Sequence, residues 1–340
     1  MTAAPVIDTV PPRARFQRRV PRWKLRLSAW LPVLTTSVIL LSMFIAGQTI
    51  FGNFFTSRLI SSLFLDNAYL IVLAVGMTYV ILTGGIDLSV GAVVAFSGIF
   101  GAELLQTGWP AIIVIPAIVL SGSVIGALVG VLVQIFEIQA FIASLAAMFL
   151  ARGLAYVVSL QSIPITDPAV IWLERTRFQI GGGWFVTPTV IIALVTVLVS
   201  VWILQYTRFG RSVYAIGGNE QSARLMGLQV AKTRIAVYII SGTCAGIAGL
   251  IFAAYTGSGY SLTGIGMELD AIAAVVIGGT ILTGGSGYII GSLFGVMVYG
   301  LIEISITYIG VDSWWTKIVV GGLLLVFVVL QRVLVARPKR

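Results

Sequence analysis

Ile81-Leu82-Thr83-Gly84-Gly85-Ile86-Asp87-Leu88-Ser89-Val90-Gly91 lies between two apolar runs. Its first five residues return unchanged 200 positions later as Ile281-Leu282-Thr283-Gly284-Gly285, and Gly91 is matched by Gly291. A Gly-hinged turn that recurs between hydrophobic segments predicts two internally related halves. Helices broken inside a membrane free backbone groups, which are tolerated only where protein or a polar cavity meets them. The pattern points to a solute path.

Composition supports the membrane setting. Of 340 residues, 58% are hydrophobic and 10% charged, against about 25% charged in soluble domains. The chain has no His and one Cys, Cys244. An internal disulfide, a Cys/His metal site and a His-based triad are therefore excluded. The net charge of +9 does not imply nucleic acid, because of where the charges sit. Seven Lys and Arg lie in Arg13–Arg26, five in Arg208–Arg234 and four in Arg332–Arg340. Each cluster flanks an apolar span, as cytoplasmic loops do.

Hydropathy predicts an all-α polytopic membrane protein of about ten transmembrane helices, at 28–50, 62–82, 87–106, 110–135, 138–160, 189–206, 235–256, 266–283, 287–309 and 316–335. A basic tail, 1–27, precedes this single domain, 28–335, and a short tail, 336–340, follows it. An even number of spans places both termini and loop 207–234 in the cytoplasm. Segment 161–188 is too polar to span. The stretch 271–282 is short, about 18 Å as helix against a core of about 30 Å. Either the helix begins earlier, at Glu268-Leu269-Asp270, or it is a re-entrant half-helix, which would invert the second Thr-Gly-Gly turn relative to the first.

In loop 207–234, Asn219 is a good N-cap for a short helix over Glu220–Met226, and Gly227 ends it. Ser222, Ala223 and Gly227 are small enough for a partner to approach, while Leu225, Met226 and Leu228 offer apolar area. This predicts a helix presented to a cytoplasmic partner. In the first turn, Gly84-Gly85 end one helix, Asp87 caps the next and Ser89 supports its first turn, with a gating role compatible with that geometry.

These residues, with Gly-Ile-Asp-Leu-Ser-Val-Gly at 85–91, Gln-Ala-Phe-Ile-Ala-Ser-Leu at 139–145 and Glu-Leu-Asp-Ala-Ile-Ala at 268–273, resemble the permease subunit of ribose-type sugar ABC importers. Asp66-Asn67-Ala68, Ser162-Ile163-Pro164-Ile165 and Ser313-Trp314-Trp315-Thr316-Lys317 most resemble a permease of bacterial galactofuranose importers. The resemblance implies cytoplasmic ABC ATPase subunits, a second permease (a copy or a relative) and a periplasmic or lipoprotein sugar-binding protein. It implies that Asn219–Leu228 is the coupling helix. The chain carries no Gly-x-x-x-x-Gly-Lys-[Ser/Thr], so it has no Walker A loop of its own. It is read as a transport subunit of the bacterial inner membrane, neither an enzyme nor a cofactor protein. The competing class is a secondary transporter or facilitator of small polar solutes, which would act without an ATPase.

Intramembrane polar residues complete the expectations. Arg152, Asp66 and Asn67 are expected near the outer mouth, with Arg152 paired to Asp66 or Glu103 or snorkelling. Gly84, Gly85, Asp87, Ser89, Phe141, Gly284 and Gly285 join them as candidate path or gate residues. Glu268, Asp270 and Asp312 form a candidate outer rim for the binding protein. Gly242, Gly246 and Gly249 predict close helix packing.

Overall fold

The computed structural model describes residues 22–52, 54–312 and 314–335; the expected tails at 1–21 and 336–340 lie outside them. Helix α1 (Arg22–Phe51) begins within the stretch expected to be tail. There follow α2 (Ser57–Asp66), α3 (Ala68–Leu82), α4 (Val90–Gln106), α5 (Ala111–Gln134) and α6 (Ala140–Val158). The segment expected to be too polar to span holds β1 (Ile163–Pro164), α7 (Pro168–Arg175), β2 (Phe178–Gly181) and β3 (Trp184–Val186). Then come α8 (Pro188–Tyr206), α9 (Arg208–Gly218), α10 (Glu220–Leu225), α11 (Val230–Thr256), β4 (Ser258–Gly259), α12 (Met267–Ile277), α13 (Ile289–Ile309) and α14 (Trp314–Val335). Contacts divide the chain into Met1–Leu31 and Pro32–Arg340, and the second unit is the bundle.

Among the described residues, six helices are long and apolar enough to cross a membrane: α1 from Pro32, α5, α6, α8, α11 and α13. The pair α2 and α3, bent by 56°, is long and apolar enough when its two helices are taken together. Helix α4 and Trp314–Val329 of α14 are apolar but shorter. The eighth expected span, 266–283, is the exception. Helix α12 has 11 residues, about 16 Å of rise, even though it starts earlier than its apolar run. The chain nevertheless completes the crossing. It leaves the C-terminal end of α11 at Gly257, and the turn after α12 comes back to α3 and α9, at the other end of the bundle, where Gly285 N donates to Leu82 O at 2.9 Å. Segment 257–288 is thus a broken full span rather than a re-entrant loop, and both Thr-Gly-Gly turns share one end of the bundle.

Helix α3 is the centre. Every residue in it but Tyr69 is buried, as expected for a helix apolar on all sides. Helices α5 and α11 meet backbone to backbone: a Cβ on Gly122 or Gly126 would strike Gly242 of α11, and one on Gly246 would strike Ile118 and Val119. Dispersion and close approach drive association where lipid is as apolar as leucine, so Gly242, Gly246 and Gly249 do pack as expected. At the end of the bundle away from the two turns, Ile163, Ile165 and Val170 seal the tips of α4, α6 and α11, and β1 pairs with β4 through Ile163 and Gly259.

A helix ending inside the bundle must place its last carbonyls. Those of α12 are all met: Ala274 O by Gly278 N, Val275 O by Thr280 N, Val276 O by Gly279 N, and Ile277 O by Thr36 Oγ1 of α1 at 2.5 Å. Thr36 is fully buried. Thr36→Val keeps the shape and orphans one carbonyl. It is expected to cost roughly 0.6–1.7 kcal/mol, visible as a lower melting temperature of the detergent-solubilised protein; an unchanged melt would show the contact to be neutral.

Candidate coupling face and solute path

Helices α9 and α10 form the end at which the two turns meet. Thr207 Oγ1 caps α9 by accepting from Gly210 N, and Asn219 Oδ1 caps α10 from Ser222 N at 2.8 Å, as the sequence predicts. Gly227 closes α10 with φ 77°, a conformation that favours glycine. Helix α9 has no forewarning in the sequence pattern: its Gly217 approaches Leu82 O and Gly285 N so closely that no Cβ fits. Tyr214 OH donates to Gly287 O at 2.8 Å. Thus α9 holds both turns.

The faces of α10 differ from expectation. Ala223 is fully buried and packs with Ile216 and Val230, so it anchors α10 to the protein rather than meeting a partner. Leu228 is half-buried beside it. Leu225 is 89% exposed and Met226 68%, with Ser222 and Gly227 also open. Glu220 is committed internally, through Arg224 at 2.7 Å and Arg234 of α11 at 2.8 Å.

A cavity of about 450 Å³ opens beneath α10, lined by Gly84, Gly85, Gln134, Phe141, Arg234 and Tyr238 among others. The structure therefore unites Gly84, Gly85 and Phe141 with Glu220. Gly284 and Gly285 abut this turn without lining the cavity. Glu137 enters with φ 53°, at the bend between α5 and α6. Above it, Asp87 is fully buried. Its Oδ1 accepts from Ser89 N at 3.0 Å and Ser89 Oγ at 2.6 Å, and its Oδ2 from Ser241 Oγ at 2.7 Å. Ser89, not Asp87, occupies the N-cap position of α4, without a side-chain cap bond. Asp87 instead fastens the turn to α11, three bonds meeting a carboxylate that burial would otherwise penalise.

At the opposite end Asp66 and Asn67 stand at the α2–α3 bend, in a second cavity of about 740 Å³. Arg152 joins neither cavity. Its Nη1 donates to Ser261 O and Thr263 O, each at 2.6 Å, and among the described residues it forms no ion pair with Asp66 or Glu103. The expected pair is overturned because the unwound 257–266 segment offers bare carbonyls that a guanidinium can satisfy. The acidic rim is also revised. Glu268 lies inside the bundle against Gly91, about 22 Å below the tip of α4 by helix rise. Asp270 is bound by Lys317 Nζ at 2.6 Å; Asp312 alone of the three is exposed. Sequence reasoning misses Glu303 and Thr316 of the second cavity. A carboxylate six residues inside the end of α13 is the available signal.

Two outcomes follow from this geometry. Arg152→Leu should lower the melting temperature and folded yield by stranding two carbonyls, and adding Asp66→Asn or Glu103→Gln should not restore them; rescue by either would reinstate the ion pair. On α7, burial, with Asp66 nearby adding to it and Arg177 opposing, pushes the Glu174 carboxyl up to about 7. A raised carboxyl penalises the fold increasingly from pH 4.5 to 7 and by a constant amount above. Melting temperature should therefore fall across that window, and Glu174→Gln should flatten the fall; an equal slope in both proteins would reject the assignment.

The arrangement has relatives but no counterpart among solved structures, none of which matches. Residues 59–328 match the family described as branched-chain amino acid transport system / permease component. The chain is 44% identical over 304 residues to the inner membrane ABC transporter permease protein YjfF of Escherichia coli (strain K12), covering 89% of this chain and 92% of that protein. It is 46% identical over 322 residues to the fructose import permease protein FruG of Bifidobacterium longum, covering 90% and 92%. Against the ribose import permease protein RbsC of Escherichia coli (strain K12) it is 37% identical over 310 residues, covering 89% and 94%. With a crossing bundle, two Gly-broken spans and this match over most of its length, the chain belongs to the ABC-importer permease family of the branched-chain amino acid transport system type, together with these sugar permeases.

Proposed function

We propose that this chain is the membrane subunit of an ATP-driven importer that carries a monosaccharide of the ribose or galactofuranose type across the bacterial inner membrane. The relatives named for ribose, fructose and L-arabinose support the sugar class. The residues resembling galactofuranose permeases, Asp66-Asn67-Ala68 among them, favour the furanose end of that class. Basic clusters flanking the spans support cytoplasmic termini and a cytoplasmic α9–α10 face. On this reading the two cavities lie on opposite sides of the membrane. A second permease, the same chain or a related one, completes the channel, and a binding protein delivers sugar to the outer end.

The observation that carries the coupling role is the pair Leu225 and Met226. Two large apolar side chains stand in the open on a short helix whose other side is riveted by Ala223 and by the Glu220–Arg234 ion pair. Such an anchor-and-knob arrangement suits a helix that fills a groove on an ATPase. Force delivered there would pass through Arg234 to α11, and through Ser241 to Asp87 and the first turn.

Uptake into proteoliposomes should require the ATPase and the binding protein as well as the permeases; uptake by the permease alone would favour a facilitator. Leu225→Glu and Met226→Glu should insert and melt normally yet co-purify poorly with the ATPase and lose most uptake. Ala223→Glu should differ by destabilising the chain itself, since it buries an unpaired charge. Normal ATPase association of both exposed-site variants would remove α10 as the coupling surface.

A further inference from the structure

The second cavity is built for a ligand. It opens at the α2–α3 break between α11, α13 and the start of α14, and its walls include Asp66, Asn67, Tyr69, Tyr255, Glu303 and Thr316. Its volume of about 740 Å³ falls within the roughly 300–1,000 Å³ of small-molecule sites. Two polar atoms of this wall are orphans. Asn67 is 2% exposed and Thr316 3%, and neither Asn67 Oδ1 nor Thr316 Oγ1 has a hydrogen-bond partner among the described residues. Asn67 is held in place, because its Nδ2 donates to Leu63 O at 3.0 Å, which leaves the carbonyl oxygen to be satisfied from elsewhere. Gly300 faces this amide, and a Cβ there would collide with it.

The donor–acceptor balance narrows the ligand. Asn67 Oδ1 and the carboxylates of Asp66 and Glu303 accept only. Asp66 has one donor, Tyr255 OH at 3.4 Å. The Lys317 ammonium nearby is already bound by Asp270. Tyr69, Tyr255 and Tyr308 add aromatic side chains to the lining. A site with many acceptors, a hydroxyl and aromatic walls suits a neutral ligand bearing several hydroxyl donors on a small C–H framework. A multivalent metal is a poorer fit, since no group of three or more acidic or metal-ligating side chains comes together among the described residues.

We propose that this cavity is a monosaccharide subsite within a single permease chain. The sugar's hydroxyls bond to the Asp66 and Glu303 carboxylates of the lining and, once a small shift bares them, to the enclosed Asn67 Oδ1 and Thr316 Oγ1, while its C–H framework packs among the tyrosines. Because Asn67 marks the 56° bend, an occupant bridges the two sides of that hinge. The proposal rests on the sugar-importer reading and adds a location and residues to it.

The test is saturation-transfer NMR on the purified permease alone in nanodiscs, with D-ribose, D-fructose and L-arabinose as probes and sodium chloride as competitor. At least one sugar should give saturable transfer in the millimolar range. Thr316→Val and Glu303→Gln, checked for a wild-type melting temperature, should each weaken it by about fivefold, the loss of one hydrogen bond. The proposal is overturned if none of the three sugars binds, if both variants bind as wild type does, or if sodium displaces the sugar competitively, which would make this a cation site. Uptake by the complete transporter, run in parallel, separates the two readings. Transport by wild type with binding absent or variant-insensitive discards the subsite and keeps the importer. Saturable, variant-sensitive binding without ATP-driven uptake keeps the subsite and discards the importer.

Discussion

In hydrocarbon a free backbone carbonyl has no water to turn to, and each of the two broken spans ends on such groups. The structure answers from across the chain. Leu82 O at the end of α3 receives Gly285 N from the second turn, and Ile277 O at the end of α12 receives Thr36 Oγ1 from α1. Ser261 O and Thr263 O, on the unwound stretch before α12, receive the Arg152 guanidinium. These bonds let the polypeptide unwind inside the membrane without exposing polar backbone to lipid. The glycines serve the same end by letting strands of backbone touch.

That constraint also joins the α9–α10 end of the bundle to the first turn. Helix α10 is pinned to α11 through Arg234, α11 holds Asp87 through Ser241, and α9 grips both turns through Gly217 and Tyr214. A rotation of α10 cannot be absorbed locally, because each neighbour is tied by a buried polar bond or by backbone contact. Helix α3, buried almost throughout, then works as a stiff post with a hinge at Asn67 near one end and the gripped turn at the other.

Much of this architecture is legible in the order of the residues. The repeated Ile-Leu-Thr-Gly-Gly locates the broken spans, the hydropathy locates the crossings, and Asn219 with Gly227 bounds α10 within a residue. Other readings fail because they need neighbours distant in sequence. Nothing local distinguishes Ala223, which packs inward, from Met226, which does not. Arg152 invites a carboxylate partner because side-chain charges are visible in a sequence, whereas the bare carbonyls at 261 and 263 exist only once the helix unwinds. Asp270 reads as a rim charge because Lys317, 47 residues away, cannot be seen beside it. Segment 257–288 defies a hydropathy window since its crossing is only partly helical.

The bond between Leu82 and Gly285 has a consequence for biogenesis. Its two ends are made some two hundred residues apart, and the Thr36–Ile277 contact spans 241. Early in synthesis α3 stands in the bilayer with its last carbonyl unanswered, and the Thr36 hydroxyl of α1 has only Pro32 O of its own helix to bond. Closure waits until the final third of the chain has been inserted, and contacts of such long range are slow to form. The first half therefore waits without these two contacts for most of the time the ribosome takes to finish the chain.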